Sequence, residues 1–422
     1  GTEEEKFGVH SETFAPLQYE GDRGVTRVFE ALVAAGWRAE AEYDGGPLIA
    51  LYRGKASITL EPGAQLELSG APLADVHATA AELQEHLLEL DPISSELGLV
   101  WLGVGFHPLS ARSELPWVPK QRYAVMREYL PPLGASAHDM MQRTATIQVN
   151  FDYASEEDAL RKLRVSLLLS PLVHAMTANS PFVERARGPR LSERGHVWLN
   201  MDRSRSGLIA RVLESRNPRY ADYAEWALDA GMFLFRRAGK IIANTGQSFR
   251  DFLAHGFEGH QATLADWKLH LNTLFPEVRL KNTLEVRGCD SLPLRLAPSI
   301  PALFTGLLYD ATALAEAEHM LAELTYSSVE AARPDLVQNG LEASIAGTPA
   351  RELAERLLEV SARGLERRSR LDARGHSERV YLEPLMALAA EAKTPANKLL
   401  DGLEGPGPFS AREIIQRTRI DL

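Results

Sequence analysis

The sequence predicts an α+β protein built on a largely antiparallel sheet with helices around it and a helical C-terminal region. Three observations point there. Strand-like and helix-like segments intermix without the regular strand-helix alternation of doubly wound folds. Several strand-like segments carry polar groups at every second position. From about Pro301 onward the chain becomes rich in Ala, Leu and Glu at helical spacing. No fixed-period repeat, low-complexity tract or long linker interrupts it, so one catalytic domain over 1–422 is expected, with a sheet-centred core over 1–300 and a helical part over 301–422 packed on it.

Thr2 to Val9 reads as the first strand, followed by Ser57 to Ser69, Leu99 to Phe106, Thr144 to Asp152 and Asn282 to Arg287. Leu73 to Leu90 has helical spacing, and Pro92 is expected to close it. Glu156 to Ala178 is a second helix, opened by Ser155 with Asp158 three residues on, and Pro171 is expected to kink it. In the C-terminal part, breaks are expected near Arg333-Pro334, Gly347-Thr348-Pro349 and Gly405-Pro406-Gly407-Pro408.

The chain has 422 residues, 45% of them hydrophobic, with a formal net charge of -11. That charge repels polyanions, so neither nucleic acid nor an acidic membrane is expected as a partner; small-molecule chemistry fits better. Cys289 is the single cysteine, which excludes an intramolecular disulfide and points to a reducing, cytoplasmic setting. The most apolar run, Val165 to Met176, contains Pro171 and His174 and falls short of the ~18–20 apolar residues a membrane helix needs. Numbering opens at Gly1 without a methionine, so an N-terminal extension is expected to be missing and targeting signals are not read.

Candidate chemistry sits on the strands. Acidic residues are depleted from strands, yet Glu3, Glu4 and Glu5 stand together in the first one. A period of two puts Glu3 and Glu5 on one face, where two carboxylates could converge on a divalent cation; a solvated, charged edge strand is the alternative. Glu61 and Glu67 repeat the pattern around a Pro62-Gly63 bend. Thr146, Gln148 and Asn150 share a polar face opposite Ala145, Ile147 and Val149, and Thr146 and Asn150 are candidates for binding substrate. Glu285 and Arg287 pair a carboxylate with a guanidinium suited to phosphoryl oxygens, unless they form an ordinary cross-strand ion pair.

A sheet face lined with carboxylates suits two or three Mg²⁺ ions holding a nucleoside triphosphate, because hard cations take oxygen ligands and bridge phosphate oxygens. No GxxxxGK[ST] loop and no dinucleotide fingerprint is present, so metal-based ATP binding must take their place. Arginines cluster from Arg185 to Arg219; most are expected to be solvated, with Arg194, just before Val197-Trp198, best placed to be ordered. The twelve histidines form no HExxH, and Cys289 is expected to pack near the site rather than attack anything.

Taken in order, GTEEEKFGV, LEPGAQLELSG, TATIQVNFDY and LEVRGCD resemble the glutamate-cysteine ligases of plants and many proteobacteria, whose fold is related to glutamine synthetase. Pro116-Trp117, Pro119-Lys120, Arg122-Tyr123, Ala178-Asn179-Ser180-Pro181-Phe182, Ser248-Phe249-Arg250-Asp251-Phe252, Asp266-Trp267, Phe275-Pro276-Glu277-Val278-Arg279 and Gly306-Leu307-Leu308-Tyr309-Asp310 carry the resemblance across nearly the whole chain.

The resemblance implies a glutamine synthetase-like cupped sheet and ATP-dependent joining of the L-glutamate side-chain carboxylate to L-cysteine, the first step toward glutathione. It further implies ATP and Mg²⁺ (Mn²⁺ as a substitute), a metal shell of Glu3, Glu5, Glu61, Glu67, Gln148 and Glu285, catalytic Arg287 and Glu285, and Arg194 on the glutamate α-carboxylate. A monomer or homodimer is expected. Glu4 stands where many relatives have histidine and Cys289 where they have alanine, and one cysteine cannot form the regulatory disulfides of plant members. Alternatives are a γ-glutamyl ligase with another amine acceptor and a silent glutamate- or nucleotide-binding relative; intact carboxylate motifs disfavour the latter.

Overall fold

In the computed structural model, which describes residues 1–421, the polar segments become neighbours in one nine-stranded sheet. Its strands are β1 (Thr2–His10), β2 (Arg38–Ala41), β3 (Leu48–Arg53), β4 (Ala56–Leu60), β5 (Leu66–Ser69), β6 (Leu99–Leu102), β7 (Thr146–Phe151), β8 (Val278–Leu280) and β9 (Leu284–Asp290). They run β8-β9-β7-β1-β5-β4-β3-β2, with β6 added to β1. All these pairs are antiparallel, as expected.

β1 can hold three glutamates because it is central rather than an edge. It pairs with β7 and β5 through its first half and with β6 through Phe7 to His10. On the face opposite Glu3 and Glu5, Glu4 is buried with fully buried Lys6 at 2.8 Å, so the odd-even split of charge is satisfied within the strand itself. The segment expected as one strand from Ser57 to Ser69 is two, β4 and β5, joined by the turn Glu61 to Gln65. Proline lacks the N–H a ladder needs and glycine permits close approach, so Pro62-Gly63 turns the chain back.

Six helices flank the sheet strands through residue 199: α1 (Val25–Ala34), α2 (Val76–Leu97), α3 (Gln121–Tyr129), α4 (Ala137–Arg143), α5 (Glu156–Met176) and α6 (Glu193–Leu199). Pro92 does not close α2, which continues to Leu97 and ends at Gly98 with φ 61°. The missing N–H frees only the carbonyl of Leu88, a residue 53% exposed, so water can take that bond. α5 starts as expected, Ser155 accepting from the Asp158 N–H, and passes through Pro171 with every residue from Val165 to Met176 buried. It is a core helix, and no described helix is long and apolar enough to cross a membrane.

The C-terminal part is helical as predicted, but Arg333-Pro334 does not break it. Helix Tyr326–Asn339 runs through both, with Arg333 anchored to Glu277 and, at 3.0 Å, to Glu330. Helix Ser299–Leu308, buried at every position, lies against helix Ala350–Arg368 so closely that a Cβ on Gly306 would sit 2.3 Å from the Ser361 carbonyl oxygen. One apolar cluster reaches from Leu17 to Ala389 and so joins the sheet's apolar side to these helices.

Candidate active site

The registers decide which polar residues meet. Glu5 lies opposite Glu67, Glu3 opposite Ser69 on one side and Gln148 on the other, and Glu285 opposite both Asn150 and Arg279. Cross-strand partners point the same way, so Thr59, Glu67, Glu3, Glu5, Gln148, Asn150, Glu285 and Arg279 occupy one face across six strands. Arg287, two residues on from Glu285 along β9, donates to the Gln148 side-chain oxygen, just where a bulge between Val286 and Cys289 shifts the register.

On the β1–β5 side the carboxylates face each other. Glu5 accepts from the Thr146 N–H at 3.0 Å and the Gln148 side-chain amide at 3.1 Å, and Glu67 accepts from the Thr59 hydroxyl. Burial, then the charges of Glu61 and Glu67, push the Glu5 carboxyl well above the usual carboxylate range, against the pull of Arg194 and Arg287. Burial and the neighbouring Glu3 and Glu61 push Glu67 up to about 8.

Glu61 sits in the turn beside them. A Cβ on Gly63 would lie 2.4 Å from the Gln142 carbonyl oxygen, so the turn packs backbone to backbone against the end of α4. Gln65 fastens it by donating to the Met141 and Thr144 carbonyls at 3.3 and 2.8 Å.

On the β8–β9 side the carboxylate has its own counter-ions. Arg279 grips both oxygens of Glu285, the second contact at 3.0 Å, with Arg287 at 3.3 Å and Lys281 at 3.4 Å. Burial pushes Glu285 up, but Arg279, Arg287 and Lys281 outweigh it and hold the carboxyl far below its usual range.

Glu5, Glu61, Arg287 and Arg194 line one cavity of about 160 Å³ together with Thr146, Arg122, Tyr123, Trp198, Phe233, Arg236 and Phe275. Arg194 projects from α6, whose first turn is capped by Ser192 at 2.9 Å from the Gly195 N–H. Asp290 fixes that segment to β9, accepting from the Asn179 N–H, Ser180 and Ser192 at 2.8, 2.7 and 2.9 Å. The Arg194 guanidinium donates to the Arg287 carbonyl at 3.0 Å and lies 5.7 Å from the Trp198 ring, its Nε without a partner.

Of the remaining candidates, Thr146 donates its hydroxyl to the Cys289 carbonyl at 2.6 Å while lining the cavity. Asn150 bonds Glu3 at 3.1 Å and accepts from Thr283, and does not line it. Cys289 is fully buried and its thiol is pushed up to about 12 by burial, so it packs beside the site as a small apolar group.

Several residues were not singled out by pattern alone. Lys120 donates to the Leu60 carbonyl at 2.8 Å, and burial and Arg122 lower it to about 8 despite nearby Glu61 and Glu67. Tyr123 donates to the same carbonyl at 2.7 Å. Arg205, in a cluster expected to be mostly solvated, is fully buried; it pairs with Asp202 at 2.8 Å and donates to the Thr273 carbonyl at 3.1 Å beside the cavity. Only the quoted Pro119-Lys120 and Arg122-Tyr123 motifs carried a signal for Lys120 and Tyr123.

Among the described residues no three His, Cys, Asp or Glu side chains converge at metal-binding distance. The β1–β5 carboxylates nevertheless fit a hard divalent cation in kind: an all-oxygen set, buried and mutually repelling, whose charged form a bound cation would favour. Glu285 is already balanced by Arg279.

A family model described as glutamate-cysteine ligase family 2 matches residues 1–417. The chain is 40% identical over 423 residues to the rice (Oryza sativa subsp. japonica) chloroplastic glutamate-cysteine ligase B, covering 99% of this chain and 82% of that protein. Against the Arabidopsis thaliana chloroplastic glutamate-cysteine ligase it is 39% identical, covering 96% and 76%. A crystal structure of the Francisella tularensis glutamate-cysteine ligase in complex with AMP superposes with a TM-score of 0.55 at 13% identity, covering 99% and 86%. The expected cytoplasmic setting is corrected by the plant relatives, which are named chloroplastic. A lone buried cysteine does not tell one compartment from another.

Proposed function

The chain belongs to glutamate-cysteine ligase family 2 and is an ATP-dependent ligase of that type, making γ-glutamylcysteine; from that premise we propose how its residues divide the work. One observation carries the reading: unbalanced carboxylates and two anchored guanidiniums meet in one cavity. ATP and glutamate are both anions, and holding them together requires cations facing each.

Glu3, Glu5, Glu61, Glu67 and Gln148 would hold Mg²⁺, which neutralises phosphate charge when bound. Arg287, set by Glu285 and Gln148, meets the transferring phosphoryl oxygens. Arg279 and Lys281 hold Glu285 ionised so that it keeps Arg287 in place. Arg194 takes the glutamate α-carboxylate, with Trp198 flanking it. Thr146 and Asn150 order the strand beneath the substrates.

The side-chain carboxylate of glutamate, a poor electrophile when ionised, takes the γ-phosphoryl group with release of ADP. The cysteine amine then attacks the acyl carbon, loses a proton and expels phosphate, forming the γ-glutamyl amide. The cavity wall of Phe233 and Phe275 keeps water from the acyl phosphate.

The deciding experiment measures ADP release with Mg²⁺, ATP and glutamate, adding cysteine and then other amino acids singly, with mass detection of the product. ADP release requiring both glutamate and cysteine, with a γ-glutamylcysteine mass, sustains the reading. Faster turnover with another amine moves the acceptor assignment, and no turnover with any acceptor removes it.

A further inference from the structure

We propose that the cleft on the outer side of α4 is a second binding site, for a small oxyanion, separate from the catalytic cavity. It has a volume of about 680 Å³ and is lined by Arg112, Arg127 and Arg143 with Trp117, His138 and Gln142 among its walls. It shares no lining residue with the catalytic cavity. Trp117 belongs to a motif that the ligase reaction leaves without a role.

The cleft is built rather than incidental. Arg127 stacks 4.6 Å from the Trp117 ring centre, and His138 meets that ring edge-on at 5.4 Å while its Nε2 is held 2.8 Å from the Arg127 carbonyl. Arg143 is only 5% exposed and lies 4.5 Å from the Phe106 ring. One of its terminal nitrogens meets Glu184 at 3.1 Å and Asp139 at 3.5 Å, whereas its Nε and other terminal nitrogen have no hydrogen-bond partner. Among the described residues, neither Arg112 nor Arg127 has a carboxylate partner within the cleft.

Three guanidiniums therefore face two carboxylates in a protein whose net charge is -11. Paired N–H donors of guanidinium select carboxylate or phosphate oxygens, and Trp117 supplies a flat apolar wall beside them. Glu184 is the competitor. Its side chain is 51% exposed, its φ is 50°, and its carboxylate lies on the guanidinium an entering oxyanion would reach.

Occupancy would be felt in the catalytic cavity. α4 separates the two spaces: Met140 and, just past its end, Thr144 line the cavity, while the Gln142 carbonyl abuts Gly63 in the Glu61 turn. This coupling rests on the ligase reading above; binding in the cleft does not.

The test is a fluorescence titration of the full chain at constant ionic strength, with pyrophosphate in one arm and citrate in the other, since both present clustered oxyanions. A saturable quench is expected that disappears in Trp117→Phe. Its Kd should rise about tenfold or more in the Arg112→Ala/Arg127→Ala double variant and fall about threefold in Glu184→Gln. ADP release by the double variant without added oxyanion should match the parent, which shows the fold intact. A response to pyrophosphate alone assigns phosphoryl ligands and to citrate alone carboxylates. No saturable Trp117-dependent signal with either, or an unchanged Kd in the double variant, overturns the site whether or not the ligase reading stands.

Discussion

Glu67 on β5 and Glu285 on β9 lie on the same face of one sheet, and both are buried, yet their carboxyls are driven in opposite directions. Glu67 is pushed up to about 8 by burial and by Glu3 and Glu61, whereas Glu285 is held far below its usual range because Arg279, Arg287 and Lys281 outweigh its burial. Burial alone therefore says little about a carboxylate's charge; its strand neighbours decide. One side of the face carries its own counter-ions, and on the other a cation from outside would be needed for all the carboxyls to ionise.

The sharpest way to break this contrast is substitution on each side. Glu5→Ala should lower ADP release by about a thousandfold, the scale of losing one ligand or charge partner of a phosphoryl-transfer site. Its melting temperature should hold or rise, because a buried, repelled carboxyl is removed. Glu285→Ala should also lose turnover, but should cost about 3–5 kcal/mol of stability in denaturant titration, since Arg279 and Arg287 are left as unpaired buried charges. Equal destabilisation in the two variants would show that the two sides do not differ.

Metal addition comes next in size. Saturating Mg²⁺ at a hundredfold its Kd should stabilise the parent by about 2.7 kcal/mol in thermal melts. Glu67→Gln should lose most of that gain and Thr283→Ala, on the balanced side, none of it. Chelation with EDTA should return the parent to its metal-free melting temperature.

Per pH unit, the smallest change is the slope of stability in the metal-free protein. Glu67 binds its proton in the folded state up to about pH 8, while the unfolded chain releases it near 4.5, as an ordinary glutamate does. Between those values the folded state holds the extra proton, so stability falls as pH rises, by up to ~1.4 kcal/mol per pH unit for each such group. Melts from pH 5 to 8 check the sign, and Mg²⁺ should flatten the slope. A slope that steepens with Mg²⁺ would remove Glu67 from the metal side.

Much of this site was legible in the chain because strands have a period of two. Glu3 with Glu5, and Thr146 with Gln148 and Asn150, were placed on common faces from spacing alone, and Glu61 and Glu67 stood out as carboxylates in an apolar context. Arg279 did not stand out, because its meaning comes from lying opposite Glu285 across a turn. Lys120 and Tyr123 were equally quiet, since both act by holding the Leu60 carbonyl, 60 or more residues away in sequence. Pro92 and Pro334 were read as helix ends, but proline removes only one donor, and both helices continue past it.

By itself the sequence determined which residues could share a face, where apolar runs would be buried, and the family to which the motifs belong, because these follow from periodicity and composition along the chain. Tertiary structure alone decided that Glu67 and Glu285 would differ in charge, that Arg287 would meet Gln148 across the β7–β9 pair, and that Arg143 would be buried with donors to spare. Coulomb energies depend on distances of a few ångströms between residues far apart in the chain, and only strand order and register set those distances.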